Sequence, residues 1–273
     1  MSDGYILSHD LGTSGNKATL FTTEGKLVAS VTSAYGTAYS HNTWAEQDPT
    51  DWWRAVCDSS KKLLKGVDGG AIKAVSLSGQ MMGCLCVDAS GRPLRNALIY
   101  CDQRSEEQVR RLEERIDPKD FYRITGHRIS SSYSVEKFMW IRDNEPEVYK
   151  ATAKMLHAKD YINFKLTGKM VSEYSDASGT NLLNLEKLDW SEKIIDAAEI
   201  DPDKLPELKG STDIVGTVTR EAAEATGVPA GTPVAAGAGD GLCAGVGVGS
   251  VKPGSTYNYL GSSSWIATTT DEP

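Results

Sequence analysis

Long apolar runs are missing from this 273-residue chain. No stretch approaches the roughly 18 consecutive apolar residues that a membrane helix needs, so none is expected to span a bilayer. No signal peptide is expected at the start either, because Asp3 and the pair His9-Asp10 interrupt any apolar segment. Cysteine is scarce and odd in number, with five in all: Cys57, Cys84, Cys86, Cys101 and Cys243. That count excludes the even disulfide framework of a small secreted domain. Cys84 and Cys86 form a single C-x-C without a matching second pair, and His41, His127 and His157 have no metal-binding spacing, so a zinc site is not expected. These absences together predict a reducing cytoplasm. Positive charge is also in deficit: the net charge is −8. An acidic surface repels phosphate backbones, which excludes nucleic acid as the expected partner but leaves local anion sites open. Repeats of roughly 20–50 residues and low-complexity tracts are absent. Two phosphate signatures are missing as well. No G-x-x-x-x-G-K-[ST] occurs, and in "GAGDGL" Leu242 stands where G-x-G-x-x-G needs its last glycine.

Apolar residues make up 40% of the chain, enough for a substantial core in one large or two modest domains. The opening reads as three strands, Tyr5–Leu11, Lys17–Thr22 and Leu27–Thr32, the last two joined by a turn at Glu24-Gly25. A helix over Asp51–Lys65 follows, with Trp52, Val56, Leu63 and Leu64 available for a buried stripe. A strand over Ala74–Ser78 leads into "SGQMMGCLCVD". A charged, solvated helix is expected over Glu106–Ile116, and helices dominate from Ser130 to Leu188: one over Ser134–Asp143, one opened by Pro146, and one over Tyr161–Leu166 with Gly168 as its left-handed cap. Residues 201–213 read as a polar linker. Beyond it come a strand at Val215–Val218, a helix at Glu221–Thr226 stopped by Gly227, a strand at Pro233–Ala236, and two strands at Tyr257–Leu260 and Trp265–Thr269 around "GSSS". The order argues an α/β fold with a mixed sheet and flanking helices. Ending directly after a strand, the sequence reads as a chain cut inside a longer protein.

Three features carry chemistry. In "YILSHDLGTSGNKATLF" a carboxylate, Asp10, ends the first strand. The turn Gly12-Thr13-Ser14-Gly15 follows, with glycines that allow positive φ or close approach, and Lys17 lies just beyond. Backbone N–H groups, two hydroxyls and an ammonium can together cradle phosphate, and the carboxylate can hold Mg²⁺ through water. The alternative is an ordinary hairpin with a polar turn. In "VAAGAGDGLCAG", Asp240 follows a buried strand and precedes a small-residue helix. An ionised aspartate beside a cleft can accept a hydroxyl proton, and the alternative is an N-cap aspartate. "LGSSSW" offers a second small-residue turn at Gly261-Ser262-Ser263. Two such turns separated by a carboxylate suit an enzyme closing two lobes on a nucleotide.

At this point the residues point to a family. "HDLGTSGNKATLF" resembles the first phosphate loop of the FGGY carbohydrate kinases, members of the actin/hexokinase-like ATPase superfamily. "WAEQDPTDWW", "SLSGQMMG", "CDQRSEEQ", "SYSVEKFMWIRDNEP" and "GAGDGLCAGVGVG" resemble family segments in the same order, and "YLGSSSWIATTTDEP" completes them. "KDYINFKLTGKMVSEYSDASGTNLLNL" is similar to the xylulokinase branch in particular. The resemblance covers residues 5–273. It implies a ribonuclease-H-like fold, with residues 1–249 as the sugar-binding lobe and 250–273 as the first strands of a nucleotide lobe. It implies ATP and Mg²⁺, and phosphorylation of a sugar hydroxyl, foremost that of a pentulose such as D-xylulose. Sugar and ATP are the implied partners, and a homodimer is compatible with it. By the same resemblance Asp240 is the catalytic base. Asp10, Gly12, Thr13, Ser14, Lys17, Gly261 and Ser262 serve the phosphates and Mg²⁺, while Gln80, Met81, Met82, Asp102 and Arg104 serve the sugar. Trp44, Gln47 and Asp48 join the cleft candidates. Trp44 has core or lid packing as its alternative role, and Arg104 has pairing with a nearby carboxylate.

Two departures bear on specificity. Xylulokinases usually read Q-M-H-G where this chain has Gln80-Met81-Met82-Gly83, and have Asn where it has Gly241. A thioether cannot replace the hydrogen bond of an imidazole, so the pocket is expected to discriminate differently. That keeps open another ketose, a polyol or a sugar acid as acceptor. An early-ending chain also leaves open a non-catalytic sugar-binding or actin-like module.

Overall fold

The computed structural model describes residues 4–260 and 264–271. The expected opening meander forms as β1 (Tyr5–Leu11), β2 (Gly15–Thr22) and β3 (Leu27–Ala34), with β1 antiparallel to β2 and β2 to β3. β2 starts two residues earlier than the sequence suggests, so the turn after Asp10 is tight. On its other side β1 runs parallel to the strand Ile72–Gly79. Pro233–Ala235 and Ala238–Gly239 also pair parallel with Ile72–Gly79, and Ile214–Thr217 adds an antiparallel edge. The result is one mixed seven-stranded sheet.

The register positions the site. Leu11 lies opposite Gly79, and Gly79 lies opposite Gly239. Three parallel strands therefore finish side by side, and the segments that follow them, 12–14, 80–82 and 240 onward, leave from one edge. Ligands of open α/β sheets bind at such an edge, beyond the carboxyl ends of the strands.

Helix α1 (Pro49–Leu63) backs β2 and β3. Asp48 caps it by accepting from the Thr50 N–H, Pro49 sits in its first turn, and Trp52, Val56 and Leu63 are buried as the sequence predicts. These side chains join Leu7, Leu20, Val75, Ile162 and Val234 in the sheet core. A second core, built from Cys84, Cys86, Leu112, Phe121, Phe138, Met139 and Ile194, lies among the helices between residues 106 and 198. Gly168 (φ +75°) and Gly227 (φ +80°) end their helices in the left-handed conformation, as expected. Among the described residues no helix is long and apolar enough to cross a membrane.

Some expectations fail. The helix Glu106–Arg115 is not a wholly solvated face: Gln108 and Leu112 are buried, and Gln108 donates to Asp143 at 3.0 Å. The polar "linker" is structured, with a 3₁₀ turn at Pro202–Lys204 and a strand, Glu207–Lys209, parallel to Val171–Glu173. The strands Ala38–Ser40, Trp44–Gln47 and Ala97–Leu98 form a small sheet that was not anticipated, since segments of two to four residues carry no readable period. Thr256–Leu260 and Ser264–Thr268 pair as expected, in a two-stranded sheet of their own. Gly261 and Ser262, expected to form the second phosphate turn, lie outside the described residues.

Candidate active site

The three strand ends open onto one cavity of about 660 Å³. Asp10, Gly12, Thr13 and Ser14 line it from the first turn, Gln80, Met81 and Met82 from the second, and Asp240 from the third. Tyr259 and Trp265, stacked with ring centroids 3.9 Å apart, line it from the terminal hairpin.

The first turn is built for close approach. Neither Gly12 nor Gly15 has a positive φ, contrary to one of the two roles expected of them. Gly15 serves the other role: a Cβ there would lie 2.8 Å from the Ser33 carbonyl oxygen, so β3 could not come so near. Gly12 N–H donates to Gly15 O at 3.0 Å, and the Tyr35 hydroxyl donates to Gly12 O at 2.5 Å. Among the described residues no hydrogen bond takes up the amide N–H groups of Thr13 and Ser14. One residue before Asp10, the buried His9 is clasped by Asn16 (3.1 Å) and Ser60 (3.3 Å), which locks β1 to β2 and α1. Burial, only partly offset by the Asn16 bond, lowers the His9 pKa to about 4, so the ring is neutral. Lys17 is exposed and lies opposite Asp10 in register, but it is not among the cavity-lining residues.

Gln47 joins the first two turns. It is buried, its Nε2 donates to Thr13 O at 2.7 Å, and its Oε1 accepts from Gln80 Nε2 at 2.7 Å and Trp52 Nε1 at 2.9 Å. The Gln80 Oε1, buried beside the cavity, has no partner among the described residues. Beyond it Met82 holds a φ of +62°, a conformation uncommon for a residue with a side chain. Met81 packs on the strand that ends in Gly239, where a Cβ would stand 2.5 Å from the Met81 sulfur. Glycine at 239 is thus what lets the second and third turns meet.

Asp240 is not an N-cap. Gly239 holds that position, and Asp240 is the first residue of the helix Asp240–Gly247. Its Oδ1 accepts from the Gly241 N–H at 2.8 Å. Burial, opposed by that bond and reinforced by the charges of Asp176 and Asp10, raises its pKa to about 6. It therefore remains largely ionised at neutral pH but holds a proton far more readily than an ordinary aspartate. A base of that strength beside a cleft suits removal of a hydroxyl proton.

Asp102 and Arg104 do not line the cavity. The alternative role for Arg104 is the one the fold takes. Both side chains are buried, and Arg104 Nη2 lies 2.7 Å from Asp102 and 2.8 Å from Glu46. Its guanidinium stacks 3.8 Å over the ring of Trp44, and Asp102 also accepts from the Ala45 N–H at 2.7 Å. Two buried charges need such pairing, and here it leaves neither side chain in the cleft. Asp48 is the cap of α1. The sequence reading missed Gln47 as a bridge. It also missed Lys159, a lysine buried completely among Asp160, Glu173 and Asp176. A Lys-Asp pair opening a helix reads as surface charge, and only the structure reveals its burial. His157, Asp160 and Asp176 offer ligand atoms within 4.8 Å of one another, but the Lys159 ammonium sits on both carboxylates, at 2.9 and 3.1 Å.

A mixed sheet whose parallel strand ends gather two carboxylates and a turn of N–H groups unpaired among the described residues defines an α/β domain with a ligand site at its sheet edge, and its structural neighbours are kinases of the actin/hexokinase-like ATPase fold. The profile of the FGGY family of carbohydrate kinases, N-terminal domain, matches residues 5–247, and the chain belongs to that family. The xylulose kinase of Escherichia coli K12 is 36% identical over 254 residues, which are 93% of this chain and 52% of that protein. Crystal structures of a xylulose kinase and of a gluconate kinase from Lactobacillus acidophilus superpose with TM-scores of 0.93 and 0.94, both at 30% identity. The superpositions cover 99% and 100% of this chain and 55% of each of those chains. The chain spans about half the length of the curated relatives it matches.

Proposed function

We propose that this domain binds the acceptor sugar of an ATP-dependent kinase and carries its general base. The whole protein transfers the terminal phosphoryl group of ATP to a sugar hydroxyl, foremost that of a ketopentose such as D-xylulose. The observation that carries this reading is the convergence of Asp10, the unpaired N–H groups of Thr13 and Ser14, and Asp240 on one cavity.

Phosphoryl transfer asks mainly for positioning and charge neutralisation. Asp240 orients the acceptor hydroxyl and takes its proton as the oxygen–phosphorus bond forms and the bond to ADP breaks. The Thr13 and Ser14 amides hold phosphate oxygens. Asp10, exposed at the cavity, is the residue that would hold Mg²⁺ through water, and the ion would supply charge neutralisation at the phosphates. Gln80 offers its free Oε1 to a sugar hydroxyl. Residues 250–273 belong to the nucleotide lobe in this reading, and the enzyme works on small molecules in the cytoplasm. Release of ADP by the full-length protein, dependent on one sugar and on Asp240, tests the proposal.

A second reading, a sugar-acid kinase, has an observation of its own. Met82 also lines a neighbouring cavity of about 710 Å³ whose polar lining residues are Arg128, Glu113, Ser130, Ser132 and Tyr133. Arg128 is exposed and forms no ion pair among the described residues. A substrate reaching past Met82 would meet a free guanidinium suited to a carboxylate. The similarity to a gluconate kinase supports this reading equally. A non-catalytic role would leave Asp240 replaceable without effect on any turnover.

A further inference from the structure

Against the short strand Ala238–Gly239 that leads into Asp240 lies a buried polar network to which the phosphotransfer chemistry assigns no task. Its centre is Lys159, fully buried, with its ammonium 2.9 Å from Asp160, 3.1 Å from Asp176 and 3.9 Å from Glu173. Burying so many charges costs several kcal/mol for each ion before pairing offsets it, and apolar residues would fill the space more cheaply. Burial works against ionisation of Asp176, but Lys159 and His157 outweigh it and hold the carboxyl below its ordinary range.

The network ends at both substrate-side turns. On one side His157 Nδ1 bonds Asp176 at 3.0 Å and His157 Nε2 bonds Ser134 Oγ at 2.8 Å, while Ser134 Oγ lies 2.6 Å from Gly83 O, next to Met82. On the other side Glu173 accepts from the Ser175 hydroxyl at 2.5 Å and from the Ser175 and Asp176 N–H groups at 2.9 Å. The Ser175 oxygen in turn accepts from the Gly239 N–H at 2.8 Å. Gly239 is the N-cap of the Asp240 helix and the residue on which Met81 packs. Its peptide thus sets where the carboxylate begins.

We propose that Ser175 is a positioning residue for Asp240: its hydroxyl, fixed by Glu173 on the Lys159 cluster, holds the Gly239 amide and so aims the carboxylate into the cavity. The inference deepens the phosphotransfer reading and rests on it only for its kinetic consequences. Removing the hydroxyl leaves a part-buried N–H unpaired and frees the peptide before Asp240. A shift of about 1 Å in a catalytic group is enough to cost up to about a hundredfold in rate.

The test compares wild type, Ser175→Ala and Ser175→Thr. In hydrogen exchange read by mass spectrometry on this chain, Ser175→Ala should speed exchange across residues 238–243 about tenfold. Ser175→Thr should restore it, and peptides from β1 to β3 should not change. In the full-length enzyme Ser175→Ala should lower kcat about tenfold or more with the sugar KM within about threefold, again restored by threonine. Unchanged exchange at 238–243 in Ser175→Ala overturns the proposal, as does a loss carried by KM with kcat intact. A wild-type enzyme silent on every acceptor would sink the phosphotransfer reading alone, and the exchange result would still decide this one.

Discussion

Gln80 Nε2 donates to Gln47 Oε1 at 2.7 Å, across 33 positions of sequence, and Gln47 passes the link on to the Thr13 carbonyl. The turn suited to phosphate and the turn suited to sugar are therefore fastened by one buried side chain. Gln47→Ala would strand the Trp52 indole N–H, the Gln80 amide and the Thr13 carbonyl. The expected loss is about 2–4 kcal/mol of stability, read as a lower urea midpoint for this chain. A loss under about 0.5 kcal/mol, the level of an ordinary surface change, would show that the bridge is dispensable.

Asp240 makes stability depend on pH in an unusual direction for an aspartate. Its folded pKa, about 6, lies above the ordinary 3.8. At this group the folded chain then binds more protons than the unfolded chain between those values, so the Asp240 contribution to stability falls as pH rises from about 4 to about 6 and levels off above, while the buried neutral His9 contributes with the opposite sign. Asp240→Asn should remove the Asp240 contribution, leave that of His9, and stabilise the chain at pH 7 by on the order of 2 kcal/mol relative to pH 4. Denaturation curves at pH 4 and pH 7 for both forms measure this, and parallel curves would count against the raised pKa.

Met82 and Gly241 set the departure from the xylulokinase pattern, and both can be reverted. A Cβ at Gly241 would meet the Met81 sulfur at an ordinary 3.8 Å, so a side chain can start there without displacing its neighbours. Histidine tolerates the left-handed φ of +62° at position 82 better than methionine does. The double variant Met82→His/Gly241→Asn should raise kcat/KM for D-xylulose about tenfold or more relative to other acceptors, at unchanged melting temperature. An unaltered acceptor ranking would mean that these positions do not touch the sugar.

Arg128 separates the two acceptor readings. If the acceptor is a sugar acid, Arg128→Gln should raise its KM about tenfold or more while neutral sugars are unaffected. Steady-state kinetics on gluconate and D-xylulose side by side distinguish the cases. Indifference to the change would leave the neutral ketose as the acceptor.

The sequence was most informative where chemistry is local. Asp10 with its turn, Gln80-Met81-Met82 and Asp240 each follow a strand within a few residues, so motif and pairing pattern point the same way. It misled where a side chain's direction depends on tertiary packing. Asp102 and Arg104 carry the right chemistry for a sugar, but the short Trp44–Gln47 strand brings Glu46 and Trp44 against them and turns both inward. That strand is too short to announce itself. The Lys159 network was illegible for a similar reason: its members are spread over residues 134 to 239, and their value lies in contacts that no spacing encodes. Glycine was half legible. Close approach at Gly15 was foreseen, but the requirement at Gly239 comes from the Met81 sulfur, which is far away in sequence.

The most direct test is ADP release by the full-length protein over a panel of ketoses, aldoses, polyols and sugar acids, with wild type and Asp240→Ala. The account predicts strong turnover on one acceptor class, lost by about a hundredfold or more in Asp240→Ala while the variant stays folded. Turnover that survives the loss of Asp240 would contradict it.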